Sequence, residues 1–506
     1  MSDGPTELAW LAGELSSIRR QLLPEEESAG LFLALDQGGS ASRAVLFDAV
    51  GRAVASAHVP VGTHREGADR VEHDAEELAR SLGEAARDVC DSDLARDRPI
   101  MAAGLATQRS TIVCWERRGV RPLSAALSWA DRRNAAWLER QLRPRAASIR
   151  ALTGLPLSPH YGASKLRWCL DHLPEVQRAQ RDGTLLAGPL SSFLLASLLD
   201  ERPALVDASN AARTQLFDPD ALDWSASLLE AFGIPLPILP SCVGTLHPFG
   251  TLSVDGRRIP LAACTGDQSA AAFAYGRPTG AVAFVNVGTG AFVQRVTEAD
   301  AALPAGLLRS VLAVRAGGRA EYSHEGTVNG AAAAIDWLRE RVALDVDRAL
   351  HSLPREEPAE EPPLFMNGVG GLGAPFWLHS FPIEFIGGGS DPSLLTAVIE
   401  SIAFLVAVNL EAMQRSAPLI RISISGGLSQ CDYLCRAIAD LSGLVVERYV
   451  MHEATARGIA FLAAGEPEDW QLVPVERLFE PAANTRLSAR FGRWRSAMAQ
   501  RGAAYG

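Results

Sequence analysis

The chain has 506 residues, 48 basic and 59 acidic, for a net charge of −11, and at ~100–200 residues per domain it has room for two large domains or several small ones. Hydrophobic residues make up 47% and charged residues 21%, which excludes a fibrous repeat and a chain disordered over most of its length. The acidic surplus argues against an electrostatic nucleic-acid binder, which needs a basic face to displace phosphate counterions.

Lys165 is the only lysine in the chain and lies in Ala163-Ser164-Lys165-Leu166. A P-loop needs its lysine in Gly-Lys-Ser/Thr, and a protein kinase needs one in Val-Ala-Ile-Lys, so both nucleotide-binding classes are excluded. Seven cysteines, at 90, 114, 169, 242, 264, 431 and 435, are irregularly spaced and form no CxxC pair, which fits a reducing, cytoplasmic setting and not a disulfide framework or zinc site. The polar, acidic N-terminus lacks the basic-then-apolar pattern of a secretory signal. The most apolar stretch, 394–410, is broken by Glu400, Ser401 and Asn409, short of the ~18 uninterrupted residues of a membrane helix. The expectation is a cytoplasmic protein with no membrane or nucleic-acid partner.

In chain order, residues 5–23 read as a helix with Leu8, Leu11, Leu15, Ile18 and Leu22 on one stripe, which either docks on the protein's own surface or joins copies into a homo-oligomer. An apolar run at 31–35 reads as a buried strand, Asp36-Gln37-Gly38-Gly39-Ser40 as a turn, 43–47 as a second strand and 53–59 as a third. An amphipathic helix at 75–89, a strand at 100–107 and helices at 134–142 and 164–173 follow. Near Thr265 a second start occurs: strand 281–287, the turn Gly288-Thr289-Gly290 and a returning strand 291–296. It repeats the strand, small-residue turn and strand of the beginning, so the chain reads as two related α/β halves with a break near 270–280. The division expected is a helical extension over 1–30, domains at 31–272 and 273–466, and a closing tail at 467–506 packed on the second domain.

Asp36 stands where a buried strand runs into a glycine turn, so its carboxylate can hold magnesium while amides from Gly38 to Ala41 face phosphate oxygens and Arg43 adds fixed charge. The bland alternative is a hairpin with a capping aspartate. Gly288 and Gly290 let backbone approach a ligand closely, and the Thr289 hydroxyl can donate to a phosphate. Asp267 precedes a run of small residues at a helix start and reads either as a functional carboxylate or as an N-cap. A strand over 422–425 ends in Gly426-Gly427, a junction that can lie against a base or ribose, before a helix at 432–441. Residues 368–373 match GxGxxG, yet Ala374-Pro375-Phe376-Trp377 follows in place of a helix, so no dinucleotide fingerprint is assigned. Cys431 and Cys435 share a helix face and read as packing residues.

Taken in order, Leu35-Asp36-Gln37-Gly38 with Arg43, Thr107-Gln108-Arg109, Ser128-Trp129-Ala130-Asp131, Thr153-Gly154-Leu155-Pro156, Ser209-Asn210 to Arg213-Thr214, Gly266-Asp267-Gln268, Gly288-Thr289-Gly290, Gly371-Leu372-Gly373-Ala374-Pro375, Glu400-Ser401, Gly426-Gly427 and Glu453-Ala454-Thr455 resemble the FGGY family of carbohydrate kinases, in its glycerol kinase branch. The resemblance spans about residues 31–465. It implies two actin-like, ribonuclease-H-type α/β domains with ATP and the acceptor alcohol in a central cleft. It further implies that Asp267 is the general base and, with Asp36, a Mg²⁺ ligand, and that Gly38, Gly39, Ser40, Arg43, Gly288, Thr289, Gly290, Ala332, Gly426 and Gly427 surround ATP. Arg109, Trp129, Asp267, Gln268 and Phe292 then fall on acceptor-pocket positions, while Ser110 and His160 replace a glutamate and a tyrosine of that branch, with Tyr161 following. On the nucleotide side Gly39 replaces a hydroxyl residue and Ala332 a glycine. The expected activity is transfer of the γ-phosphate of ATP to a small polyol or sugar, glycerol or a glycerol-like polyol first and a ketopentose such as xylulose second. The alternative from another class is a non-catalytic, nucleotide-binding sugar sensor or assembly protein on the same fold.

Overall fold

The computed structural model describes residues 30–67, 69–96, 98–353, 360–450 and 453–505, so the stripe of residues 5–23 lies outside the described residues. The first sheet is built from β1 (Leu31–Gln37), β2 (Ala41–Phe47), β3 (Ala53–Pro60), β4 (Ile100–Thr107), β5 (Leu246–Val254) and β6 (Arg257–Gly266), in the order β5-β6-β4-β1-β2-β3. β1, β2 and β3 form an antiparallel meander, and β4 and β6 run parallel to β1. The second sheet contains β7 (Val282–Val287), β8 (Ala291–Thr297), β9 (Leu308–Val314), β10 (Ala320–Val328), β11 (Arg421–Ser425), β12 (Val445–Tyr449) and β13 (Val475–Phe479), in the order β9-β10-β8-β7-β11-β12-β13. Its strands β7, β8 and β10 repeat the meander, and β11 and β12 repeat the parallel addition beside β7. The expected α/β duplication is therefore present at the level of strand order.

The strand residues alternate between two helical layers because side chains on a strand alternate faces. Leu31, Leu33 and Leu35 of β1 pack with Leu78, Leu82 and Val89 of helix α1 (Ala75–Cys90). Ala34, Val45 and Phe47, on the opposite face, pack with a later segment that includes Ile459 and Phe461. A further five-stranded sheet joins two short strands ahead of α1, His64–Glu66 and Arg70–His73, to three from the stretch between β4 and β5, among them Ile112–Glu116 and Leu185–Pro189, and that stretch also carries helix α2 (Gly162–His172). Helix α3 (Asp267–Ala272) follows β6 in the first half, and the second half has helix α4 (Ala332–Arg339) and the long central helix α5 (Asp391–Gln414).

Helix α5 is, among the described residues, the one helix long and apolar enough to cross a membrane, yet 89% of its apolar window is buried inside the protein. Glu400 in its middle accepts from Arg490 at 2.7 and 2.9 Å and from the Tyr433 hydroxyl at 2.6 Å. A buried carboxylate held this way marks a core helix, since unpaired charge there would be costly. Two helices close the chain, α6 (Ala454–Ala463) and the tail helix α7 (Thr485–Tyr505); α7 supplies Arg490 and lays Phe491 and Trp494 against Phe404. Helix α6 supplies Ile459 and Phe461, so it lies between β12 and β13 of the second sheet in sequence but packs on the first. Its Gly458 crosses α3 so closely that a Cβ would sit 1.8 Å from the Ala270 carbonyl oxygen.

Candidate active site

The two repeated hairpins end in turns of small residues. At the first, the Gly38 N–H donates to Ala41 O (3.1 Å), Thr63 Oγ1 donates to Gly39 O (3.3 Å), and Gln108 Nε2 donates to Gly38 O (3.3 Å). Ser40 is exposed at the tip, and a Cβ on Gly39 would meet only Trp129 Nε1 and Gln108 Oε1, at 3.9 and 4.0 Å. At the second turn the start of α4 folds over the glycines: Ala332 N donates to Gly288 O (3.0 Å), and Ala331 N and Ala333 N donate to Thr289 O (3.0 and 3.1 Å). Gly426 adopts φ +90° with its Cα so close to β7 that a Cβ would lie 2.6 Å from Val287 O. Only glycine meets both the positive φ and that approach without strain. Gly288, Thr289, Gly290, Ala332, Gly426 and Gly427 thus converge at one end of the second sheet, with a short 3₁₀ turn, Gly427–Gln430, between the paired glycines and the following helix.

Asp36 and Asp267 occupy the ends of β1 and β6. Burial pushes the Asp36 carboxyl up to about 7; Arg43, whose Nη1 lies 3.4 Å away, opposes this, and the charges of Asp267 and Glu453 add to it. Asp267 is the first residue of α3, and the capping position belongs to Gly266, so its carboxylate is not used as the cap. Its Oδ1 accepts from the N–H of the half-buried Gln268 (2.7 Å), and Arg109 Nε lies 3.8 Å from the same oxygen. Burial raises the Asp267 pKa and Arg109 offsets part of the rise. Among the described residues no cluster of three or more His, Cys, Asp or Glu could enclose a metal. Two carboxylates at the ends of β1 and β6 beside a glycine turn suit Mg²⁺ nonetheless, because that ion usually keeps several waters and needs only one or two carboxylates from the protein.

Arg109 follows β4 and its stem lies against Gly266, where a Cβ would be 2.5 Å from Arg109 Cδ. Its guanidinium grips Glu325 of β10 from the other half, Nη1 to Oε1 at 2.8 Å and Nη2 to Oε2 at 3.3 Å. Arg213 Nη2 donates to the same carboxylate at 3.0 Å and Gln294 Nε2 at 3.3 Å, while Arg213 Nη1 donates to Ser310 Oγ at 3.2 Å. Burial alone would raise the Glu325 pKa, but the two arginines outweigh it and bring the carboxyl down to about 2. Phe292 lies two residues before Gln294 on β8 and so shares its face of the sheet.

Ser110, next to Arg109, holds φ +65° with Oγ 3.4 Å from Arg213 O. Trp129 and His160 meet edge to face at 5.6 Å, and His160 meets Tyr161 at 5.5 Å. Burial, reinforced by the positive charges of Lys165 and Arg213, keeps the His160 imidazole neutral by lowering its pKa well below 6.5. Trp129 N donates to Thr111 Oγ1 (3.0 Å), which donates to Gln108 Oε1 (3.1 Å), so this wall connects to the Gly38 turn through Gln108. The structure therefore gathers Asp36, Asp267, Arg109, Ser110, Trp129, His160 and Gln268 around the ends of β1, β4 and β6, and the second set of glycines around β7. Glu325 carries no sequence signal, Arg213 appeared only inside a motif, and Lys165 served only to exclude other classes.

The comparisons agree with this architecture over both halves. Residues 31–274 match the N-terminal domain, and residues 283–465 the C-terminal domain, of the FGGY family of carbohydrate kinases. The chain belongs to that family. Relatives include the glycerol kinase of Trichlorobacter lovleyi, 36% identical over 87% of this chain and 90% of that protein, and that of Aromatoleum aromaticum, 33% identical over 92% and 97%. Glycerol kinase from Plasmodium falciparum, solved with ADP, superposes with a TM-score of 0.84 at 21% identity, covering 94% of this chain and 98% of that one. Xylulose kinase from Lactobacillus acidophilus superposes with 0.80 at 18% identity, covering 94% and 99%. The fold is accordingly the actin-like ATPase fold of two related α/β domains. This FGGY kinase is an ATP-dependent phosphotransferase that acts on an alcohol group of a small polyol or sugar. Nothing in the comparisons supports a non-catalytic sensor.

Proposed function

We propose that this kinase transfers the γ-phosphate of Mg²⁺-ATP to a primary hydroxyl of glycerol or a glycerol-like polyol in the cytoplasm, with 31–272 and 273–466 as its two lobes. The observation that carries the proposal is the placing of Asp267: free of the capping role, half-buried, and 3.8 Å from a guanidinium that is itself locked to Glu325. Burial raises the pKa of this carboxylate and Arg109 opposes the rise, and a carboxylate so placed can take a proton from the acceptor hydroxyl. Asp36, with Asp267, would hold Mg²⁺, which when bound neutralises charge on the phosphate oxygens. The Gly38–Ser40 and Gly288–Gly290 turns offer backbone amides from opposite lobes to the β- and γ-phosphates, with Arg43 as added charge, and Gly426-Gly427 and Ala332 border the nucleotide. All seven cysteines are free, which fits a reducing compartment.

On the acceptor side, Arg109, Trp129, Gln268 and Phe292 would orient the alcohol, with Ser110 and His160 setting the fit. Glu325 offers no substitute for the missing acid at Ser110, because both its oxygens are occupied by arginines. The short side chain of Ser110 favours a second acceptor, a ketopentose such as xylulose, by leaving more room. The test is ADP release with Mg²⁺-ATP across glycerol, erythritol, other short polyols, ketopentoses and hexoses. Highest kcat/KM with glycerol or a short polyol supports the first choice. Highest kcat/KM with xylulose moves the assignment to the second, and ATP binding without acceptor-dependent turnover overturns both.

A further inference from the structure

We propose that Lys165 is a positioning residue for the acceptor pocket, its single ammonium group holding three separate walls of that pocket in register. Its Nζ donates to Ser110 O at 2.9 Å, Ser128 O at 2.7 Å and His160 O at 2.8 Å. An ammonium has three N–H donors and no acceptor, so each donor is assigned to one carbonyl and none is left over. The three carbonyls lie 55, 37 and 5 residues away in sequence, and the side chain is completely enclosed.

Each of these carbonyls lies in a peptide that bears a pocket side chain. Ser110 and His160 supply their own carbonyls, and Ser128 O belongs to the peptide whose N–H, that of Trp129, donates to Thr111 Oγ1 at 3.0 Å. Fixing a carbonyl fixes the plane of its peptide, and with it the direction of the neighbouring Cα–Cβ bonds. The Ser110 backbone is at φ +65°, a conformation a serine keeps only when its surroundings hold it there. Lys165 itself is anchored on α2, whose Ser164 carbonyl accepts from Asn134 Nδ2 at 2.7 Å, so the three loops are referenced to a rigid element. A lysine needed only for bulk or solubility would not direct all three donors to backbone oxygens of one site. A methionine would fill the same volume and supply no donor.

The proposal rests on Ser110, Trp129 and His160 lining the acceptor pocket, so the experiment tests the two separately. Steady-state kinetics with the best acceptor of the panel would be measured for Lys165→Met and Trp129→Ala, alongside ATP affinity and thermal unfolding. Lys165→Met is expected to raise the acceptor KM about tenfold or more, since displacement of a positioning group by about 1 Å costs on the order of 10²-fold. The KM for ATP should stay within about threefold, a split that general loss of folding does not produce. As a second measure, Lys165→Ala should recover its acceptor KM in excess n-propylammonium, which replaces the missing carbons and nitrogen, but not in sodium chloride of equal ionic strength. A Lys165→Met acceptor KM within twofold of the parent, with Trp129→Ala still raising it, overturns the role of Lys165. Neither variant moving the acceptor KM overturns the pocket assignment. If Lys165→Met does not fold, the Lys165→Ala rescue decides: recovery limited to acceptor KM supports the role, and absence of recovery overturns it.

Discussion

Replacing Glu325 with glutamine should separate the two halves of the acceptor site energetically. Glu325 is fully enclosed and takes three hydrogen bonds from Arg109 and Arg213. The fall of its pKa from 4.5 to about 2 corresponds to about 3 kcal/mol in favour of the ionised form in the folded protein. A glutamine forfeits that, leaving Arg213 without its carboxylate and Arg109 with only Asp267, so a loss of about 3–5 kcal/mol is expected. The pKa is depressed on folding, so the stabilisation is fully present above about 4.5 and disappears as pH falls toward about 2. Urea unfolding of parent and variant should therefore differ by about 3 kcal/mol or more at pH 7 and converge as the pH is lowered below 4.5. The same variant frees Arg109 beside Asp267, so the acceptor KM should rise more than the KM for ATP. A gap under about 1 kcal/mol at pH 7, or one that does not narrow in acid, would refute the assignment of Glu325 as the clasp between the halves.

Other outcomes follow from the site. Gly426→Ala places a Cβ 2.6 Å from Val287 O at φ +90°, so it should weaken ATP binding, read by nucleotide titration, and lower the melting temperature. Asp36→Asn should lose most of the dependence of the rate on added Mg²⁺ along with the rate itself, as read in a Mg²⁺ titration; an unchanged Mg²⁺ profile would remove Asp36 from the metal site. Ser110→Glu with His160→Tyr should shift the ratio of kcat/KM values toward glycerol over xylulose, because restored hydroxyl partners discriminate by pairing. An unaltered ratio would place these two positions outside the pocket.

Much of this architecture is written locally in the chain. The apolar run of β1, its abrupt change to Asp36-Gln37-Gly38-Gly39, and the echo of that pattern at Gly288-Thr289-Gly290 identify both hairpins and their small-residue turns. The buried nature of α5 is less evident, since Glu400 looks like a break until Arg490 and Tyr433, 90 and 33 residues distant, are seen to satisfy it. The Glu325 clasp is invisible for the same reason: its arginines lie 216 and 112 residues away, and β10 reads Ala-Glu-Tyr-Ser-His-Glu, with no pattern to single one glutamate out. Periodicity reports what a residue does to its neighbours in sequence. Helix α6 on the first sheet, and the three carbonyls on Lys165, are contacts of the folded chain alone.

The central claim is that Asp267 removes the proton of the acceptor hydroxyl in an ATP-dependent transfer. Acceptor-dependent ADP release by parent and Asp267→Asn, under saturating Mg²⁺-ATP and with ATP binding measured on both, tests it most directly. The expected result is a kcat lower by about 10²–10⁴ in the variant with ATP affinity retained. A variant that turns over at near the parental rate would contradict it.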